Sequence, residues 1–120
     1  MILGFKERFK QPILTNKKIH TIREDIHNRW RAGMQIHMAT GVRTKKYNQF
    51  AESTCKSIQH IVIIHLHDYD PIVRIDERQL SIDEIQQLAW NDGFENIAEF
   101  FLWFHSDFKG KIIHWTNLTY

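Results

Sequence analysis

Residues Cys55–His67, CKSIQHIVIIHLH, carry the strongest strand signal in the chain. The segment is rich in β-branched residues, which favour the extended backbone of a sheet. Its apolar run is so dense that both faces of the strand should be partly covered, or the strand should bend across a barrel. We therefore predict a long strand here, within a curled sheet or barrel.

Weaker patterns on either side of this segment predict the other strands and the loops. Further strands are expected at residues 1–5, 18–23, 34–40, 72–75 and 111–116, and exposed loops at 24–33 and 41–53. The segment 34–40 alternates apolar and polar residues, as a half-buried strand does. The segment 41–53 is basic and aromatic without a helical period, so we predict that all of it is an exposed loop.

Three helices are predicted from their end signals. A short helix over residues 9–14 should end at Asn16, which suits the left-handed position after a helix. Ser81 and Glu84 match a capping box that begins a helix through about residue 90. Asp92 and Gly93 interrupt it, and Asn96 begins another helix through about residue 104. This order predicts an α+β fold, a small mixed domain on a curled sheet or barrel with two to three flanking helices.

Length and composition limit the class of protein. The 120 residues fit a single domain, residues 1–120. Cys55 is the only cysteine, so neither an internal disulfide nor a cysteine metal cluster can form. No apolar run reaches the about 18 residues of a membrane span, and Met1–Lys10 lacks the apolar stretch of a signal peptide. These features predict a cytoplasmic protein with no membrane partner.

The charges are distributed unevenly along the chain. Residues 1–60 hold 12 basic and 4 acidic residues, for a net charge of +8, whereas residues 61–120 hold 4 basic and 10 acidic, for −6. Such asymmetry points to an anionic ligand that the first half contacts. The alternative is that the two halves attract each other within one domain.

Two segments of the first half combine cations with aromatic rings. Such segments suit nucleic acid, because the cations neutralise phosphates and the rings stack on bases. A solvated basic face is the alternative. The candidate ligand-binding residues are Arg29, Trp30, Arg31, Arg43, Lys45, Lys46 and Tyr47.

The strand KIHTIR, residues 18–23, has a spacing that suits a pocket wall. On a regular strand Thr21 and Arg23 share one face and Lys18 lies on the other, so Lys18 joins them only if the chain turns or bulges. A lysine near Lys17 and Arg23 would have a lowered pKa, which is one route to a neutral amine base. The alternative is an exposed lysine at the start of a strand.

Other candidates carry weaker signals. His65 and His67 share a strand face and would need a third ligand to hold a metal, and solvated histidines are the commoner outcome. Phe100, Trp103 and Phe104 have the helical spacing of a core stripe. Asp92 is either a turn aspartate or a carboxylate that points into a cleft. We predict neither a metal nor a cofactor.

Three stretches together resemble the ASCH domain family, a relative of the PUA domains. The first, PILTNKKIHTIRED, is similar to the family pattern G-x-K-x-x-T-x-R at Asn16, Lys18, Thr21 and Arg23. The second, LAWNDGFENIAEFFLWF, resembles the family's helix, turn and amphipathic helix. The third, KGKIIHWTNLTY, is similar to the closing strand of one branch, so that the resemblance runs from Phe5 to the end of the sequence.

The resemblance implies a PUA-like β-barrel whose cleft binds RNA, a nucleotide or a modified nucleoside. One small branch consists of amidohydrolases that act on N4-acetylcytidine with a lysine, a threonine and a glutamate. These catalytic residues correspond to Lys18 and Thr21 and, approximately, to Asp92, which is one methylene shorter than glutamate. The leading expectation is an RNA- or nucleotide-binding domain with Arg23 in the cleft. Amidohydrolase and ribonuclease activity are the alternatives, and His20 is the residue to test for the latter.

Overall fold

The computed structural model describes residues 1–120 as an α+β fold with two sheets. The larger sheet is entirely antiparallel, and its strands lie in the order β2 (His20–Arg23), β8 (Phe108–His114), β5 (Ser57–Ile64), β6 (Ile72–Ile75) and β7 (Arg78–Gln79). The long strand predicted at 55–67 is the middle strand, β5, which pairs with β8 on one side and β6 on the other.

The smaller sheet is mixed and contains a strand that the sequence did not predict. It consists of β1 (Ile2–Phe5), β3 (Gln35–Thr40) and β4 (Asn48–Thr54), with β1 parallel and β4 antiparallel to β3. The prediction of an exposed loop over all of 41–53 is therefore wrong. The β4 segment is polar with little β propensity, and its pairing with β3, interrupted by a bulge at Met38/Ala39, makes it a strand.

The helices begin and end close to where the caps predicted. A 3-10 turn (Glu7–Phe9) leads into α1 (Lys10–Leu14), and Asn16 has the expected positive φ of 62°. Helix α2 (Ile82–Asn91) begins with the complete Ser81 capping box. Helix α3 (Ile97–Trp103) is capped by the Asn96 side chain, which accepts a hydrogen bond from the backbone N–H of Glu99. No helix is long and apolar enough to cross a membrane.

The hydrophobic core includes one residue that the sequence predicted at the surface. Trp30 was a candidate for stacking on a base, but it is only 9% exposed and belongs to the core. Asp25 folds the 24–33 loop inwards: its carboxylate accepts hydrogen bonds from the backbone N–H groups of Arg29 and Trp30, at 2.8 and 2.9 Å. Its ion pair with Lys111, at 2.9 Å, ties the loop to β8. The Trp30 ring is therefore unavailable to a ligand.

Candidate active site

A cavity of about 290 Å³ lies between β1, β2 and the segment from α2 to α3. It collects all of the residues that the resemblance implied for catalysis: Lys18, Thr21 and Asp92 line it, together with Arg23. Its apolar walls are largely aromatic and come from three separate parts of the chain. They include Phe5, Phe9, Phe94, Trp103 and Phe104.

The turn after α1 places Lys18 on the same side as Thr21. Asn16, in the left-handed conformation, reverses the chain, and the backbone N–H groups of Lys17 and Lys18 both donate to the Pro12 carbonyl at 2.9 Å. The N–H of Ile19 then donates to the Asn91 carbonyl at the end of α2, at 2.9 Å. Because β2 begins only at residue 20, the alternation of side chains along a strand does not determine the direction of the Lys18 side chain.

Lys18 and Asp92 form a buried pair in the cavity wall. Their residues are 2% and 3% exposed, and Lys18 Nζ donates to the backbone carbonyl of Asp92 at 2.7 Å and to its Oδ1 at 3.1 Å. Burial lowers the pKa of the Lys18 ammonium, although the Asp92 carboxylate opposes this shift. A neutral amine has two N–H groups and one lone pair. The two bonds to Asp92 would satisfy both donors of a neutral Lys18 amine and leave its lone pair for a proton.

Arg23 fixes the position of the Thr21 hydroxyl in the cavity wall. Arg23 Nε donates to Thr21 Oγ1 at 3.2 Å, and one of its Nη groups donates to the Gly4 carbonyl at 2.7 Å. Thr21 is 4% exposed, and its oxygen accepts while its own proton makes no hydrogen bond to the protein. Three of the five N–H donors of Arg23 remain for a ligand.

A chain of buried polar groups lies behind Asp92. His20 Nδ1 is 3.1 Å from Asp92 Oδ1, and His20 Nε2 is 2.6 Å from the Tyr120 hydroxyl. Asn91 Nδ2 donates to the same hydroxyl at 2.9 Å. Burial lowers the pKa of His20, with Asp92 opposing, so the ring is neutral. His20 is completely buried and does not line the cavity.

The predicted basic residues other than Arg23 lie outside the cavity. Arg29, Arg31, Arg43, Lys45, Lys46 and Tyr47 are all exposed. None of the five cations in this set forms an ion pair with a carboxylate. The loop that carries the last four does not line the cavity, but its Val42 side chain packs on Gly4, which does.

Two residues of the cavity mouth escaped the sequence patterns. Trp103 was predicted as core from its spacing, but it is 40% exposed and lines the cavity. Lys6 Nζ lies 5.1 Å from the centroid of the Trp103 ring and also lines the cavity. Helical spacing placed Trp103 in one stripe with Phe100 and Phe104, and nothing in that pattern marks which member ends at the surface.

The histidine candidates are not assembled into a metal site, and Cys55 belongs to no second site. No group of three His, Cys, Asp or Glu side chains is placed to hold a metal ion. His65 Nε2 lies 2.8 Å from the Phe104 carbonyl, and Cys55 is buried.

Comparison with known proteins adds no identification, since no family model, curated protein or solved structure matches the chain.

Proposed function

We propose that this protein is an amidohydrolase that removes the acyl group from the exocyclic amine of a modified cytidine, such as N4-acetylcytidine. One observation carries the proposal: the buried Lys18 amine, with Asp92 Oδ1 at 3.1 Å, opens onto the same cavity as the Thr21 hydroxyl. A nucleophile, a base and a group that orients the base are the arrangement required for acyl transfer.

In the proposed first step, Thr21 Oγ1 attacks the acyl carbon and its proton passes to the neutral Lys18 amine. The bond from the acyl carbon to the exocyclic nitrogen then breaks, and the Lys18 ammonium returns the proton to that nitrogen, so that cytidine leaves. The free N–H donors of Arg23 are suited to stabilise the negative charge that develops on the acyl oxygen. Water then cleaves the threonine ester, which releases the carboxylic acid and restores Thr21.

The cavity walls suit a nucleoside. Aromatic rings stack on the faces of bases, and Phe5, Phe9 and Trp103 supply such rings in the lining of the cavity. Lys6 at the mouth adds a cation that would contact a phosphate or ribose oxygen.

At the level of the fold, we infer that the two sheets form the opposite walls of a PUA-like barrel, with the cavity at one end.

The test is to incubate the purified protein with N4-acetylcytidine and to follow cytidine by chromatography. Lys18→Met and Thr21→Val should each lower kcat by at least about 100-fold, the lower range for a general base. Lys17→Met is the matched control, because Lys17 is the neighbouring lysine but pairs with Glu95 outside the cavity. Thr21→Ser should retain turnover, since it keeps the hydroxyl. Absence of cytidine with the unaltered protein would reject the proposal.

A second candidate function, RNA binding, has its own observation. Three of the five exposed cations without ion pairs, Arg43, Lys45 and Lys46, lie on the loop whose Val42 packs on Gly4 of the cavity lining. An RNA strand bound to this loop would bring a nucleotide towards the cavity mouth. Ribonuclease activity has no comparable support. His20, its candidate residue, has both ring nitrogens bonded to protein groups and is outside the cavity.

A further inference from the structure

Beyond the catalytic residues, we infer that His20 is a positioning residue whose Nδ1–H holds the Asp92 carboxylate against the Lys18 amine, and that Tyr120 and Asn91 fix the His20 tautomer that makes this bond. The inference rests on the proposed function for its kinetic consequence. Its structural part, the tautomer and the placement of Asp92, stands on the hydrogen-bond geometry alone.

The direction of each hydrogen bond in this series of side chains can be assigned in turn, starting from Gln87. Gln87 Nε2 donates to Asn91 Oδ1 at 2.8 Å, which orients the Asn91 amide. Asn91 Nδ2 then donates to the Tyr120 hydroxyl at 2.9 Å, so that the hydroxyl proton is directed to His20 Nε2, at 2.6 Å. Because His20 Nε2 accepts, its proton is on Nδ1, which donates to Asp92 at 3.1 Å.

The opposite tautomer fits poorly. With the proton on Nε2, the Tyr120 oxygen would accept from both His20 and Asn91, and its own proton would have no acceptor in the chain of bonds. The lone pair of His20 Nδ1 would then face the Asp92 carboxylate at 3.1 Å, which is repulsive. An unmatched polar contact between completely buried groups is costly enough to select one tautomer.

The consequence for the site concerns the two oxygens of Asp92. Oδ1 accepts from both Lys18 Nζ and His20 Nδ1, each at 3.1 Å, which sets the plane of the carboxylate. Oδ2 makes no hydrogen bond to the protein, and Asp92 lines the cavity, so this oxygen is left for the ligand. Without the His20 bond, rotation of the carboxylate would change both contacts.

Two matched substitutions test the roles of the two ring nitrogens of His20 separately. His20→Asn places an amide N–H near the position of Nδ1, whereas His20→Gln places it near Nε2. We expect His20→Asn to keep kcat within about fivefold of the unaltered protein. His20→Gln should lose at least about 30-fold in kcat with little change in KM, since misplacement of a catalytic group by about 1 Å costs on the order of 100-fold. Equal effects of the two variants on kcat would overturn the inference.

A spectroscopic measurement tests the inference without turnover. Long-range 1H–15N correlation spectra at neutral pH should show His20 as the neutral Nδ1–H tautomer. The pKa of Lys18, followed by the shift of its Cε carbon, should be the same in His20→Asn as in the unaltered protein and different in His20→Gln. A protonated ring, an Nε2–H tautomer, or an equal Lys18 pKa in both variants would refute it.

These readouts distinguish the two proposals. If the unaltered protein releases no cytidine, the proposed function fails, and the tautomer and the Lys18 pKa still decide whether His20 positions Asp92. If cytidine is released but His20 is the Nε2–H tautomer, the proposed function stands and the positioning role of His20 fails.

Discussion

At the scale of single residues, the pairing of Lys18 with Asp92 brings the proposed base and its orienting carboxylate into direct contact. Lys18 Nζ reaches the backbone carbonyl of Asp92 as well as its side chain, at 2.7 and 3.1 Å. The amine thus approaches the main chain at residue 92, close enough for the short aspartate side chain to make contact. The aspartate is therefore consistent with the role proposed for the carboxylate.

Replacing Asp92 by Asn should move the pH profile of deacylation. The Asp92 charge raises the Lys18 pKa against the effect of burial, so its removal lowers that pKa further. Lys18 acts as a base only when neutral, so the rising limb of kcat/KM should shift to lower pH in Asp92→Asn. Arg8, Arg23 and His20, the other titratable groups near Lys18, are unchanged in this variant. A limb that stays in place would show that Lys18 is not the titrating base.

At the scale of elements, the turn between α2 and α3 sets the space that Lys18 occupies. Gly93 has a φ of 95°, and a Cβ built there would lie 3.1 Å from both Lys18 Cδ and Phe9 Cδ1. Glycine is therefore required at position 93 for two reasons: the backbone has a positive φ, and the aliphatic part of the Lys18 side chain packs too closely to leave room for a Cβ. The Asp92-Gly93 pair, which the sequence marks as a helix end, also shapes the wall of the cavity.

Gly93→Ala should destabilise the protein more than Gly33→Ala does. Gly33 has a similar φ of 92°, but a Cβ there would meet nothing within 4 Å, so this control carries the backbone strain without the crowding. We expect a difference of about 1–3 kcal/mol in the free energy of unfolding, the usual range for overpacking. Chemical denaturation of both variants measures it. Equal losses would mean that Lys18 and Phe9 shift without cost.

Strand β8 carries a second buried histidine, which makes the stability of the sheet depend on pH. His114 is completely buried, and its Nε2 lies 2.9 Å from Gln59 Oε1 while its Nδ1 has no partner. Burial, helped by the nearby His20 ring, lowers the pKa of His114 to about 4. The folded protein therefore holds His114 neutral where the unfolded chain, with a pKa of about 6.5, already binds a proton.

Stability should consequently fall as the pH falls from about 6.5 to about 4, and His114→Gln should weaken this dependence. The neutral ring contributes its full stabilisation above the unfolded pKa of about 6.5, and this contribution is lost as the pH approaches the folded value. Glutamine keeps a donor for Gln59 but does not titrate. The measurement is the free energy of unfolding of both proteins at pH 7.5 and 4.5. An equal loss in the two proteins would contradict the assignment.

At the scale of the whole molecule, attraction between the two halves of the chain accounts for only some of the basic residues. Lys17 pairs with Glu95 and Lys18 with Asp92, so some of the basic first half is held by the acidic second half. The exposed cations of the 24–33 and 41–47 loops have no such partner. Their charge is therefore available to an anionic ligand.

If RNA binds these loops, its affinity should fall steeply with salt, and the triple variant Arg43→Gln, Lys45→Gln, Lys46→Gln should reduce that dependence. Loss of three phosphate contacts should make the slope of log K against log salt shallower by about 2 for a single strand. The control removes the same charge from Lys56, Arg74 and Lys109, which are exposed outside the cavity lining. Fluorescence anisotropy with a short RNA measures both slopes. Equal slopes for the two variants would exclude this loop as the RNA contact.

The local signals in the sequence predicted local structure well. The Ser81 capping box and the Asn96 cap marked the two helix starts, and Asn16 took the left-handed conformation expected of it. These signals depend on neighbours within a few residues, so they can be recognised without the fold. The error at β4 has the opposite cause, because a polar edge strand depends on its partner strand.

By itself, the sequence determined the α+β class, the helix ends and the presence of a lysine, a threonine and an aspartate that resemble a catalytic set. Only the tertiary structure decided that these three line one cavity, that Trp30 is buried and Trp103 open, and that His20 stands behind Asp92. Lys18 and Asp92 are 74 positions apart. Contact between such residues depends on the packing of α2 against the segment before β2, which no local pattern records.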